Sequence, residues 1–234
     1  MVAAISGRCA VNPTVAHFYH ETSGTLSYVV SDPATSAAAI IDPVLDFCVV
    51  SGRTSTAPAK KLVDHVRDNN LELEWILETH AHADHLSAAQ YVRESLGGKL
   101  AIGAGIRDVQ QHFGPLFNLQ PPFAPDGSQF DHLFADGDRF AVGELECRVL
   151  ATPGHTSDSV TYLIGNAAFV GDSLFMTDSG TARCDFPGGD AAALYDSIQK
   201  LFALPDDTLL HLCHDYPDER AVCCRVTVAE QKKK

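Results

Sequence analysis

The sequence predicts a layered α/β fold built on two β-sheets. Residues 37–41, 59–69 and 71–77 read as strand, helix and strand, and the last strand delivers a histidine-rich loop at its carboxyl end. Strand-dominated halves lie on either side of a proline-rich connection, residues 113–129, which points to two sheets. Side chains suited to metal binding stand at four separate strand ends, and such ends converge in space along one sheet edge.

Within residues 15–41 the simplest reading is one hairpin: strands at 24–30 and 37–41, joined by a Ser31-Asp32-Pro33 turn. Asp42-Pro43 ends the second strand, and Asp42 reads as a turn former more readily than as part of a site. Residues 46–59 are polar, with Gly52 and Pro58, and read as a surface loop. In 59–69 Leu62, Val63 and Val66 share a helical face, and Asn69-Asn70 ends the helix. A second helix is expected over 87–96, with Asp84 and His85 where it could start and Gly97-Gly98 as its stop. Residues 99–103 form a short strand, and the segment to His112 a further helix.

Residues 113–129 carry Pro115, Pro121, Pro122 and Pro125 and form an irregular connection of a length often tied to function. His112 and His132 flank it as isolated surface histidines. Asp136-Gly137 is a tight turn ahead of an alternating hairpin, 139–150. Strands follow at 161–164 and 167–170, then a polar loop at 179–190. Leu194, Ile198, Leu201 and Phe202 mark a helix, and 208–210 leads into His211. One domain is expected over 15–222, with an N-terminal extension at 1–14 and a short C-terminal tail at 223–234.

Composition narrows the function classes. A chain of 234 residues, 45% hydrophobic, can bury a sizeable core. Its net charge of −13 disfavours nucleic acid and acidic membrane as partners. No apolar run approaches the roughly 20 residues that span a bilayer. Seven cysteines without a Cys-x-x-Cys pair favour free thiols in a reducing compartment, so the cytoplasm is the expectation. Residues 1–12, with Arg8 and no acid, resemble an organelle-targeting segment only weakly and leave a mitochondrial location open.

The chemistry concentrates in Glu78-Thr79-His80-Ala81-His82-Ala83-Asp84-His85, where three imidazoles and a carboxylate occupy six positions. His80 and His82, two apart on an extended segment, point to one face and can reach one cation. Such crowding costs desolvation and mutual repulsion unless a cation or hydrogen bonds compensate. His155 in Thr152-Pro153-Gly154-His155-Thr156, Asp172 in Gly171-Asp172-Ser173 and His214 in Cys213-His214-Asp215-Tyr216 stand at the other strand ends. Imidazole and carboxylate suit zinc or iron, for one metal or two. No cysteine is read at a ligand position, which disfavours soft-metal chemistry.

Together these motifs resemble the metallo-β-lactamase superfamily from about residue 15 to 216. The resemblance implies an αβ/βα sandwich, two mixed β-sheets with helices outside. Within the superfamily the chain looks most like the persulfide dioxygenases, including the β-lactamase-hydrolase-like branch. Ile41-Asp42-Pro43-Val44, the histidine-rich loop and Ser179-Gly180-Thr181-Ala182-Arg183-Cys184-Asp185-Phe186-Pro187-Gly188-Gly189 carry that likeness, the last run lying outside the shared metal motifs.

The resemblance implies one iron(II) held by His80, His155 and Asp172, the two-histidine, one-carboxylate set of non-haem oxygenases. Glutathione persulfide and O2 are the implied substrates, with sulfite and glutathione as products. His82, Asp84, His85 and His214 would orient ligands and water. Arg183 is a candidate for a substrate carboxylate, set against a local salt bridge. The rival is a two-zinc thioester hydrolase resembling glyoxalase II: His80, His82 and His155 on one metal, Asp84, His85 and His214 on the other, Asp172 bridging. A non-catalytic metal-binding or regulatory module on the same fold carries least weight, because the ligand set is full. Longer family members continue beyond the position of residues 226–230, so a short C-terminus is expected to expose the pocket, lower stability or weaken substrate binding. A homodimer is compatible with the sequence.

Overall fold

The computed structural model describes residues 12–82 and 84–233. The chain opens with β1 (Thr14–His20), β2 (Thr25–Ser31), β3 (Ala37–Ile41), β4 (Val44–Cys48) and β5 (Arg53–Ser55), followed by α1 (Ala57–Asp68). Next come β6 (Glu72–Leu77), β7 (Leu86–Ser87), α2 (Ala89–Leu96), β8 (Lys99–Gly103), α3 (Ile106–Leu116) and β9 (His132–Phe134). The second half holds β10 (Arg139–Val142), β11 (Leu145–Ala151), β12 (Val160–Ile164), β13 (Ala167–Phe169), α4 (Ala191–Phe202), β14 (Leu209–His211), β15 (Arg225–Thr227) and α5 (Val228–Gln231).

Two six-stranded mixed sheets result, ordered β1-β2-β3-β6-β8-β9 and β10-β11-β12-β13-β14-β15. In the first, β3, β6, β8 and β9 run parallel. Covered on both faces, β3 is the unbroken apolar run Ala-Ala-Ala-Ile-Ile rather than an alternating one. In the second sheet only β13 and β14 pair in parallel, and β11 alternates buried and exposed positions. Leu26, Tyr28, Ile41 and Leu77 of the first sheet pack against Val149, Tyr162 and Phe169 of the second. The outer face of the first sheet buries Val29, Ile40 and Ile76 under Leu62, Val63 and Val66 of α1 and Val92 of α2. The αβ/βα sandwich is therefore the fold.

Several elements differ from the sequence expectation. Residues 14–20 form a separate strand that pairs along its whole length with β2. Residues 46–59, expected as a loop, instead hold most of β4, all of β5 and the start of α1, and β4 and β5 join β7 in a small third sheet. The second helix starts at Ala89, not at Asp84, because Leu86 and Ser87 pair with β4 and the Ser87 hydroxyl donates to Glu78 at 2.5 Å. Residues 132–134 complete the first sheet as β9. The segment 223–234 supplies β15, paired with β14, and α5, which starts with a Thr227–Glu230 capping box. Of the expected N-terminal extension, residues 1–11 lie outside the described residues. No helix among the described residues is long and apolar enough to cross a membrane.

Candidate metal centre

The loops that leave β6, β11, β13 and β14 meet at one end of the two sheets and carry His80, His155, Asp172 and His214. Two glycines allow this meeting. Gly154, at φ +137°, lies so close to α4 that a Cβ there would sit 2.3 Å from the Leu194 backbone. Gly171, at φ +55°, would place a Cβ 2.8 Å from Thr79 Oγ1, so Asp172 reaches the histidine loop only because no side chain precedes it.

His80 Nε2 and His155 Nε2 lie 3.7 and 3.6 Å from the same oxygen, Asp172 Oδ2. These separations exceed a hydrogen bond and match donors about 2.0–2.2 Å from a shared cation. The far side of each ring is anchored. Thr79 Oγ1 donates to Asp42 Oδ2 at 2.9 Å, so it accepts from His80 Nδ1–H, also at 2.9 Å. His80 Nε2 is left as a buried lone pair without a partner. His155 Nδ1–H donates to the Arg183 carbonyl at 2.6 Å and turns its Nε2 to the same point. Burial, helped by the neighbouring imidazoles, holds the His80 pKa well below the ordinary value, so the ring stays neutral. The chemistry and spacing of the three donors fit one divalent cation.

His82 does not join that set. Its Nε2–H donates to Asp42 Oδ1 at 3.2 Å, with Glu78 Oε2 at 3.3 Å. Burial opposes charge on this ring, yet the two carboxylates outweigh burial and hold its pKa well above the ordinary value. The expectation that Asp42 serves as a turn former alone is corrected: at φ +48° it turns the chain, and its carboxylate also braces Thr79 and His82.

Asp84, His85 and His214 gather as a second cluster. His214 lies between two carboxylates, with Nδ1 at 2.7 Å from Asp172 Oδ1 and Nε2 at 2.7 Å from Asp84 Oδ2. Against the pull of burial, they push its pKa up to about 9. Burial and the neighbouring His82 drive the His85 pKa down to about 2. Cys213 corrects the view that no cysteine stands at a ligand position: its thiol lies within 4.8 Å of nitrogens of His82 and His85, and it also groups with Asp172 and His214.

Of the two roles read for Arg183, the local salt bridge is formed. Its Nε and Nη2 donate to Asp185 at 2.6 and 2.7 Å, and its guanidinium stacks 4.7 Å from the Phe186 ring centroid. What Arg183 contributes to the centre is its backbone carbonyl. Sequence reasoning missed Asp158, fully buried between polar neighbours, whose Oδ2 accepts from Ala81 N at 2.8 Å and pins the histidine loop. A lone acid in Thr156-Ser157-Asp158-Ser159 gives no signal for that role.

Residues 21–214 match the family model described as the metallo-beta-lactamase superfamily. The beta-lactamase hydrolase-like protein of Agrobacterium fabrum is 53% identical over 96% of this chain and 52% of its own length, so the chain spans about half of that relative. Glyoxylase B2 of Dictyostelium discoideum is 48% identical over 90% of this chain and 73% of its own. The human mitochondrial persulfide dioxygenase ETHE1 is 30% identical over 85% and 66%. Among solved structures, ETHE1 from Myxococcus xanthus superimposes with a TM-score of 0.73 at 32% identity, over 94% of this chain and 82% of that one. With its fold, its histidine loop and its match over most of its length, the chain belongs to the metallo-beta-lactamase superfamily.

Proposed function

We propose that the chain is a metal-dependent enzyme, and within that class a mononuclear iron(II) persulfide dioxygenase. One observation carries the choice of a single metal: His80, His155 and Asp172 converge on one point while His82 turns away to Asp42 and Glu78. The likeness to the persulfide dioxygenases supports the same choice. Bound there, one iron(II) per chain would supply open positions for sulfur and dioxygen. The proposed overall reaction, RSSH + O2 + H2O → RSH + sulfite + 2H+, oxidises the outer sulfur by four electrons and reduces O2 by four. The protein's part is to fix the two ligating nitrogens through Thr79 and the Arg183 carbonyl and to keep His80 neutral. Glutathione persulfide is the reference substrate. Six free cysteines among the described residues support a cytoplasmic location.

A two-zinc thioester hydrolase is the second reading, favoured by the Asp84, His85 and His214 cluster and by the likeness to Glyoxylase B2. Oxygen uptake by iron(II)-loaded protein given glutathione persulfide, with His155→Ala as control, decides between them. One sulfite per O2, abolished in the variant, is the outcome expected. Thioester cleavage by the zinc-loaded protein without oxygen uptake by the iron-loaded one would reverse the choice.

A further inference from the structure

A chain of hydrogen bonds reaches the metal centre from the β1–β2 turn, a stretch that carries none of the metal motifs. His20 Nδ1 lies 2.8 Å from Ser23 Oγ, Ser23 Oγ 2.6 Å from Thr25 Oγ1, and Thr25 Oγ1 3.2 Å from His214 Nε2. On its other side His214 meets Asp172 Oδ1 through Nδ1 at 2.7 Å. That bond takes one oxygen of Asp172 and leaves the other, Oδ2, facing His80 and His155. The chain therefore ends on the carboxylate that both ligating rings share.

Its direction follows from counting hydrogens. Asp46 Oδ1, 3.3 Å from His20 Nε2, favours the tautomer with its proton on that nitrogen and leaves Nδ1 as an acceptor. The Ser23 hydroxyl then donates to His20, and the Thr25 hydroxyl donates to Ser23. Each hydroxyl has one hydrogen, so Thr25 Oγ1 offers only lone pairs to His214 Nε2–H. Asp84 Oδ2 stands 2.7 Å from the same nitrogen, but its side chain is 43% exposed and water competes for it. Thr25 is fully buried and is held by the backbone on either side: Leu26 N donates to the Cys213 carbonyl at 2.6 Å, and Asp215 N to the Gly24 carbonyl at 3.0 Å. Thr25 is thus the fixed point against which the His214 ring is set, and His214 in turn fixes the plane of the Asp172 carboxylate.

We propose that Thr25, its hydroxyl aimed by Ser23 and His20, is a positioning residue for the metal centre that acts through His214 on Asp172. The proposal rests on the single-metal reading, in which His214 keeps a proton on Nε2; a second cation bound to that nitrogen would displace the chain.

Two measurements on the metal-loaded protein test this. In the first, cobalt(II) affinity is read by competition with a chelator, together with the visible bands of the bound cobalt. Thr25→Val keeps the side chain's shape and should weaken cobalt(II) about tenfold, the low end for groups that brace a metal ligand, and shift the bands. Ser23→Ala, at a half-buried turn position, leaves Thr25 in place without the group that aims its hydroxyl, and should cost roughly threefold. Thr25→Ser should recover the parent affinity and bands, and Thr22→Ala, an exposed neighbour outside the chain, should match the parent. In the second, histidine nitrogen-15 NMR of protein holding one zinc per chain should show a proton on His214 Nε2. With that proton present, cobalt(II) affinities of Thr25→Val and Ser23→Ala within twofold of the parent would overturn the positioning role and leave the single-metal reading standing. A loss in Thr25→Val that the serine variant does not recover, or that leaves the bands unmoved, would mark lost packing and overturn the role as well. Two metals per chain with no proton on His214 Nε2 would fail the single-metal reading itself, and the chain with it.

Discussion

Replacing Thr79 with valine removes one hydroxyl and keeps the side chain's shape. That hydroxyl is the hinge between Asp42 and the metal centre, donating to Asp42 Oδ2 and accepting from His80 Nδ1–H, both at 2.9 Å. In Thr79→Val the buried Nδ1–H loses its acceptor, at a cost of about 1–3 kcal/mol, while Asp42 keeps the Thr79 backbone N–H at 2.7 Å. The ring is then free to move its proton to Nε2, which hides the lone pair meant for the cation. Groups that brace a metal-binding imidazole are worth about 10–100-fold in metal affinity, or roughly 1.4–2.7 kcal/mol. Competition with a chelator, followed with cobalt(II) or iron(II), measures that loss, and thermal unfolding should fall by about 2–4 °C per kcal/mol. Thr79→Ser keeps the hydroxyl and should recover most of both. A valine variant that binds metal within twofold of the parent would refute the idea that Thr79 fixes the His80 tautomer.

Two further predictions concern buried charge. Arg220 binds Asp215, which is fully buried, through Nη1 at 2.7 Å and Nη2 at 2.5 Å, and also reaches Asp178. Arg220→Met leaves the Asp215 carboxylate with the Cys223 N–H as its remaining donor, and should cost about 2–3 kcal/mol in urea unfolding, toward the low end for a broken buried pair because Arg220 is partly exposed. His211 stacks on Phe169 with centroids 4.8 Å apart, and neither ring nitrogen has a partner. Burial, with Arg225 nearby, drives its pKa down to about 3. Unfolded, the imidazole titrates near 6.5 and takes up a proton the folded one refuses, so its stabilising contribution is full above about pH 6.5. As pH falls from there toward 3, about 1.4 kcal/mol is lost per unit. Urea titrations between pH 4 and 6 should be flatter by that slope in His211→Phe, and parallel curves would show that His211 is not the group responsible.

How much the sequence reveals depends on how local each signal is. The β3–α1–β6 unit was legible because apolar periodicity switches cleanly between strand and helix, and each ligand motif stood at a strand end where the structure gathers it. The small sheet of β4, β5 and β7 was not, because its strands are short and largely exposed, and although β4 and β5 pair locally, β7 joins β4 from about 40 positions away. The same limit applied to Asp42, Glu78 and Asp158. Each is an ordinary acid by local context, and its role appears only when β3, β6 and the loop before β12 are brought together. His82 shows the converse: two-residue spacing aims it toward the cation of His80, but two buried carboxylates compete for the ring and draw it away.

Metal stoichiometry tests the single-metal centre most directly. Protein loaded anaerobically with iron(II), desalted and analysed for metal should hold one ion per chain. His82→Ala should keep close to that one ion, because His82 braces the centre from Asp42 and Glu78 without joining it, while His155→Ala should lose it. Two ions per chain, halved in His82→Ala, would contradict the mononuclear centre in favour of a dinuclear one, and equal metal content in the parent and His155→Ala would remove the centre altogether.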